Sequence, residues 1–308
     1  MIVLVAVAVG LLFTGTFIQL ARAYGWGKAV RDTGPQSHLS KAGTPTMGGV
    51  AFLLATFAVV LIVGGVRVEI VALVALTAAA AAVGLYDDVV SLGRKRKLLQ
   101  GVEDGVDAAT GLLARYRILA HFVIGLGFAW WAVAAGYRVS PSPWLDVGLY
   151  ALAVAGSINA FNFADGLDGL AAGITAIILI FFLGSPFAAA LLGALLAFLW
   201  YNGHPARVFM GGVGSEGLGA AVAGLAILDG TVLLLPLVAI MPVIAVLSVI
   251  LQVAYFRSTG GKRLFRMAPI HHHFELAGLS EHQITLRFWL VTAIGVVAAS
   301  SLSGRAPW

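Results

Sequence analysis

Residues 68–97 read VEIVALVALTAAAAAVGLYDDVVSLGRKRK. From Ile70 to Tyr86 the stretch carries no charge; then Asp87 and Asp88 stand side by side, and four basic residues follow at 94–97. An α-helix needs about 17–25 apolar residues to cross a bilayer, so 68–86 is read as a span that ends at the aspartate pair. Working outward, similar apolar runs lie near 2–20, 48–65, 117–136, 144–161, 170–184, 186–201, 215–230, 231–255 and 285–302. The chain of 308 residues is 60% hydrophobic and 11% charged, against about 25% charged in a soluble domain. Its mean hydropathy is +0.97. The fold class that follows is an all-α integral membrane protein with about ten transmembrane helices, in a single polytopic membrane domain over 1–308. The first run has no basic residue ahead of it, and its first charge, Arg22, comes after it, so it is read as a span and not as a signal peptide.

Lys and Arg set the orientation. With the N-terminus outside, the inner segments are 21–47, 87–116, 162–169, 202–214 and 256–284. Only Arg67, Arg138 and Arg305 then fall on the outer side, out of 19 basic residues. This is a strong positive-inside asymmetry. It accounts for the pI of 9.7 and removes the need for a nucleic-acid partner. The chain has no cysteine, which excludes disulfide and thiol chemistry. The outer loops are short and the inner loops hold nearly all the polar residues, so any chemistry belongs to the inner face.

Five polar stretches lie there. In NAFNFADGLDG, 159–169, Asn159, Asn162, Asp165 and Asp168 recur every three residues. Adjacent members share a helix face, and Gly166 and Gly169 mark a break. A plain turn needs one capping Asp or Asn, not four, and ionisable groups at a membrane boundary are functional candidates by default. Asp87 and Asp88 point about 100° apart on a helix, so one can hold a metal or phosphate while the other does something else. The run 94–97 is at the same time a topology-setting stretch that touches anionic lipid. In SHLSKAGTPTMGG, 37–49, Lys41, Thr44 and Thr46 precede a Gly pair whose N–H groups suit an anion. The glycine-rich loop of YNGHPARVFMGGVGSEGLG, 201–219, suits phosphate or plain flexibility equally, and Glu216 is unusual at the mouth of an apolar span. In MAPIHHHFELAGLSEHQ, 267–283, an extended chain would put His271 and His273 on one side. Zinc, with Glu275 and His282 as further ligands, competes there with substrate contact.

The segments RDTGPQSHLSKAGTPTMGG, GLYDD, GLLARYRIL, NAFNFADGLDGLAAG, YNGHPARVFMG and MAPIHHHFEL with LRFW follow one another over nearly the whole chain. In this order they resemble the phospho-N-acetylmuramoyl-pentapeptide transferases, within the superfamily of polyprenyl-phosphate N-acetylhexosamine-1-phosphate transferases. The aspartate motifs belong to the superfamily at large; APIHHHFE is specific to the muramoyl-pentapeptide branch and argues against a sibling that uses UDP-GlcNAc. The resemblance implies ten spans, a cytoplasmic active-site cleft in the bacterial inner membrane, and Mg²⁺. It implies undecaprenyl phosphate and UDP-MurNAc-pentapeptide as substrates, lipid I and UMP as products, and a homodimer.

It also implies roles. Asp87, Asp88, Asp168 and His271 would be catalytic, Asp87 deprotonating or positioning the lipid phosphate, by direct attack or through an aspartyl-phosphate. Asp88 would support the metal and diphosphate. Asn159, Asn162 and Asp165 would line the nucleotide and diphosphate site with Asp168. Gly166, Leu167 and Phe209 would enclose uracil. Lys41, Thr46, Asn202, Gln252, Ala268, His271, His272 and His273 would line the same cleft, which lowers the zinc reading. The metal would be held by Asp87, Asp88, Asp165 and, as the most speculative member, Glu216.

Two departures stand out. The family pattern FMGDVGS is FMGGVGS here, so Gly212 replaces an aspartate regarded as a Mg²⁺ ligand. Three readings compete: Glu216 reaches back one turn to replace it, the remaining aspartates hold the metal more weakly, or the chain is an impaired homologue that binds without turnover. The second is Arg117 in place of the usual Lys, a planar fork for a point donor. A transporter or channel is the remaining class, disfavoured because the charged motifs lie at one face and not mid-span.

Overall fold

The computed structural model describes residues 1–27, 41, 43–99 (backbone alone for 94–99) and 114–304. The side chains of Arg94 to Lys97, and the linker from 100 to 110, lie outside the described residues. Among the described residues there are twelve α-helices and no strand. They are α1 (Ile2–Ala23), α2 (Gly49–Val63), α3 (Val68–Leu99), α4 (Ala114–Ala134), α5 (Pro143–Ala164), α6 (Leu170–Phe181), α7 (Pro186–Asn202), α8 (Gly211–Leu228), α9 (Leu235–Val238), α10 (Ile240–Ser258), α11 (Ile270–Leu276) and α12 (Glu281–Leu302). Seven of them are long and apolar enough to cross a membrane, and α2, α6 and α7 are shorter apolar helices. All ten expected runs are therefore helical. The protein is an all-α membrane protein.

Local sequence sets the boundaries. Ser142–Pro143 and Ser185–Pro186 open α5 and α7 with Pro in the first turn, where its missing N–H costs nothing. A capping box opens α12: Gln283 N–H donates to Ser280 Oγ at 3.3 Å, and Ser280 N–H donates to Gln283 Oε1 at 3.0 Å. Two boundaries differ from expectation. The run 231–255 is not one helix: a 3-10 turn at Val232–Leu234 and the four-residue α9 precede a break at Ala239, with α10 starting afterwards. Pro236 and Pro242 each lack a backbone N–H, which makes a continuous helix costly there. Nor does the aspartate pair end α3, which runs on to Leu99; hydropathy marks where apolar chain stops, not where backbone hydrogen bonding stops.

α8 is the centre of the bundle and packs on α3, α5 and α2. Its sequence GGVGSEGLGAAVAGLAIL is rich in small residues, which let helix backbones approach closely without a hydrophobic driving force. A Cβ on Gly84 of α3 would lie 2.3 Å from the backbone of Gly212, and one on Gly49 of α2 would lie 2.3 Å from that of Gly214. No side chain fits at Gly84 or at Gly49. Around this centre, Leu4, Leu12, Ile62 and Ile294 are exposed, as lipid-facing apolar residues are. Asp146 and Asn162 sit on opposite ends of α5. The motif residues all gather at the Asn162 end.

Candidate active site

The turn between α5 and α6 begins with Asp165 as the C-cap of α5, its N–H donating to Asn162 O at 3.4 Å. Gly169 has φ +70°, a conformation open to glycine at little cost. Its N–H donates to Asn202 Oδ1 at 3.1 Å, and the Asn202 amide donates to Val208 O at 2.8 Å. Asn202 is thus buried and spent on holding the turn to the end of α7. Leu167 faces the hydrophobic core.

Asp168 is the hub of the turn. One oxygen accepts from Lys41 Nζ at 2.8 Å; the other accepts from Ala206 N–H at 3.0 Å and lies 3.0 Å from His204 Nδ1. Glu281, in the first turn of α12, accepts from Lys41 Nζ and from Asp168 N–H, both at 2.6 Å. Burial alone would push the Asp168 carboxyl up. Hydrogen bonds from Lys41 and Ala206, the Lys41 charge and His204 outweigh it and hold the group below the ordinary carboxylate value. Burial alone would lower Lys41, but its bonds to Asp168 and Glu281 and their charges hold it above its ordinary value. Ligand atoms of Asp168, His204 and Glu281 lie within 4.8 Å of one another, the one such cluster among the described residues. The Lys41 ammonium already supplies the positive charge there.

A second set of charges is built on helices. Asp88 Oδ1 accepts from Gly212 N–H and Oδ2 from Val213 N–H, each at 3.1 Å. The carboxylate therefore sits on the N-terminus of α8, where free N–H groups and the helix dipole favour an anion. Asp87, turned away from it, faces Arg117 Nη1 at 3.3 Å. Arg117 Nη2 donates to Asn162 Oδ1 at 3.2 Å and also to Glu216 Oε1. Glu216 Oε2 is 3.1 Å from His121 Nε2, and His121 Nδ1 is 3.2 Å from Asn159 Nδ2. Asn162 Nδ2 donates to Ser215 Oγ at 3.0 Å. Both oxygens of Glu216 are engaged, and its side chain has no exposed surface. That is not the placement expected of a carboxylate reaching back to replace the one missing at 212.

The histidine run is helical (α11), not extended, so His271 and His273 do not share a side. Steps of two on an α-helix turn by about 200°. His271 is buried against Gly166, where a Cβ would fall 2.1 Å from its Nε2. His272 Nδ1 lies 2.6 Å from Glu275 Oε2, and His273 Nδ1 accepts from Arg266 N–H at 3.1 Å. The three rings serve three different partners, as a zinc site would not allow. Gln252 Oε1 accepts from Leu264 and Phe265 N–H at 3.1 and 2.8 Å, clamping the loop that leads through the half-buried Ala268 to α11. Phe209 N–H donates to Pro45 O and its carbonyl accepts from Gly48 N–H, both at 2.8 Å. Thr46 N–H donates to Trp26 O at 3.0 Å, and Lys41 Nζ lies 6.0 Å from the centre of the Phe209 ring. Sequence reasoning gave no role to Glu281, His204, His121 or Ser215. Glu281 carried a signal, as the acidic first-turn residue of a Ser-Glu-His-Gln capping box; His121, inside an apolar run, carried none beyond its rarity there.

Comparison with known proteins places the chain in a family. The profile described as "Glycosyl transferase family 4" matches residues 70–230, and "Phospho-N-acetylmuramoyl-pentapeptide-transferase signature 1" matches 41–53. The phospho-N-acetylmuramoyl-pentapeptide-transferase of Deinococcus deserti is 46% identical, covering 99% of both chains. Those of Deinococcus radiodurans (42% identical, 98% of this chain and 99% of the relative) and Heliobacterium modesticaldum (41%, 94% and 93%) match as fully. The chain belongs to the phospho-N-acetylmuramoyl-pentapeptide transferase family. The matched signature, 41–53, spans Lys41, Thr46 and the Gly49 crossing, so it takes in one member of the Asp168 cluster and one close helix contact. The long match over 70–230 takes in both charged sets except Lys41 and Glu281.

Proposed function

We propose that this chain transfers phospho-MurNAc-pentapeptide from UDP-MurNAc-pentapeptide to undecaprenyl phosphate, giving lipid I and UMP, with Mg²⁺ and on the cytoplasmic face. The observation that carries the reading is the gathering of both aspartate motifs, Lys41 and the histidine helix at one end of an apolar bundle. The excess of Lys and Arg on that side supports the cytoplasmic face. In the reaction a lipid phosphate oxygen bonds to the β-phosphorus, the bond from that phosphorus to the bridging oxygen breaks, and UMP leaves with that oxygen. A cavity of 470 Å³ lined by Phe17, Trp26, Met47, Val50, Leu85, Val89, Leu92 and Gly93 lies beside Asp88. It supports an isoprenoid tail there, with the phosphate at the aspartate pair.

The donor set suits a hard divalent cation in kind. Asp87, Asp88 and Asp165 offer carboxylate oxygens, although these do not meet in the one three-ligand cluster of the described residues, and a Cβ at Gly212 would lie 3.4 Å from Asp88 Oδ1. When bound, Mg²⁺ offsets the repulsion between the two phosphates and the charge on the leaving UMP. The chain's own groups do the rest. Asp87, held by Arg117, faces the lipid phosphate and positions it or takes its proton. Lys41, fixed by Asp168 and Glu281, presents a cation to the nucleotide diphosphate. His271 and the Gly166 turn close the uridine end.

UMP release from the two substrates across a Mg²⁺ titration, in detergent or nanodiscs, tests the reading. Turnover that depends on both substrates and on Mg²⁺ is expected. Turnover with UDP-GlcNAc in place of the muramoyl substrate would assign the sibling reaction, and nucleotide binding without turnover an impaired homologue.

A further inference from the structure

Glu216 lies in the most buried of the seven long apolar helices, with no exposed side-chain surface. A carboxylate in such a place is costly unless it is paired and hydrogen-bonded. Its two partners differ in kind. Asn159 Nδ2 donates to the Ala155 carbonyl at 2.7 Å, an acceptor only, which fixes the amide orientation. The same nitrogen therefore donates to His121 Nδ1, so His121 carries its proton on Nε2 and donates it to Glu216. A neutral His121 holds the carboxylate without neutralising it. Among the described residues the charge is met by Arg117, whose guanidinium is thereby directed toward Asp87 and Asn162. Arg117 is 21% exposed and Asp87 17%, so this outer edge faces the cleft while the pair behind it is sealed.

We propose that Glu216 and His121 are positioning residues that fix the Arg117 guanidinium beside Asp87, giving this chain a rigid cation anchored one turn of α8 beyond Gly212, the position where it lacks a carboxylate. The proposal rests on the reaction given above. A lysine at 117 has one point charge and no fork to satisfy Glu216 and Asp87 together. Arg117, His121 and Glu216 form one unit, and Glu216 acts through Arg117, not on the metal.

The test uses the full chain in detergent, with Arg117→Lys, Glu216→Gln and both together. Glu216→Gln keeps the shape and removes the charge. We expect it to lower kcat for UMP release at least about tenfold while KM for UDP-MurNAc-pentapeptide stays within about threefold. The double variant is expected to be no slower than the slower single one, since residues acting as a unit do not lose rate independently. Mn²⁺ binding, read by electron paramagnetic resonance without substrates, is expected to be unchanged in Glu216→Gln. Losses in kcat that multiply, an unchanged kcat, or a tenfold weaker Mn²⁺ affinity would each overturn the proposal, the last by making Glu216 a metal ligand. If Glu216→Gln does not purify folded, His121→Gln takes its place in the same cycle. Thermal unfolding of the same variants separates the proposal from the reaction. Without turnover in the unaltered protein the reaction fails, while shifts in Tm that simply add overturn the unit itself.

Discussion

The site contains two charged sets that differ in what holds them. Lys41, Asp168, Glu281 and His204 come from loops and a helix start far apart in sequence, and His204 is 48% exposed. Asp87, Arg117, Glu216, His121, Asn162 and Asn159 come from α3, α4, α8 and α5, and two of the six are fully buried. The first set joins the 41 loop, the α5–α6 turn and the 204–206 loop to the start of α12, and its members are partly open. The second is locked by helices whose spacing is set by glycine crossings such as Gly84 on Gly212. Similar ion pairs therefore differ in setting: one set gathers loops, the other is built across packed helices.

The comparison can be broken at each set. The largest effect is expected from Asp168→Asn and Asp87→Asn, one from each. Each should reduce UMP release by at least about 100-fold, the scale for losing a positioned acid, base or charge partner; full activity in either variant removes that residue from the chemistry. Next is stability. Glu216→Ala leaves Arg117 short of its buried partner and should cost about 3–5 kcal/mol. Glu281→Gln leaves Lys41 paired with Asp168 and should cost about 1–2 kcal/mol. Equal losses in denaturation would mean that the two sets do not differ in kind.

A smaller effect is expected at the junction of the two glycine-crossed helices. A Cβ on Gly212 would lie 3.2 Å from Gly84 O and 3.4 Å from Asp88 Oδ1, so Gly212→Asp fits after a slight shift and adds a second carboxylate facing Asp88. It should raise activity or lower the Mg²⁺ needed for half-maximal rate several-fold. An unchanged titration would show that the chain has no use for that ligand.

The smallest effect is one of pH on the loop set. Asp168 is held below its ordinary value, so its contribution is complete above 3.8 and fades as pH falls through the lowered folded value. Lys41 is held above 10.5, so its contribution is complete below that value and fades as pH rises through the raised one. Between about pH 5 and 9 neither changes charge; with His204→Gln in both chains, to remove the imidazole 3.0 Å from Asp168, the Tm difference made by Lys41→Met should stay flat. A slope inside that window would mean that the pair is not formed as described.

The sequence by itself determined the membrane class, the ten apolar runs and the polar residues from which the site is proposed. Charge that interrupts an apolar chain is costly and so conspicuous: Asp87, Asp88, Asp165, Asp168 and Glu216 could be picked out without any coordinates. It was least informative where the backbone keeps its hydrogen bonds beyond an apolar run, as in α3, or breaks them inside one, as at Ala239. Only the tertiary structure decided what each charge faces. Lys41 and Glu281 are 240 residues apart yet share a hydrogen bond. Glu216 and Arg117 are separated by 99 residues and meet because α8 and α4 both pack on α3 and α5. Pairing depends on which helices are neighbours, and in lipid that is set by small residues and close backbone contact, which local sequence pattern does not encode.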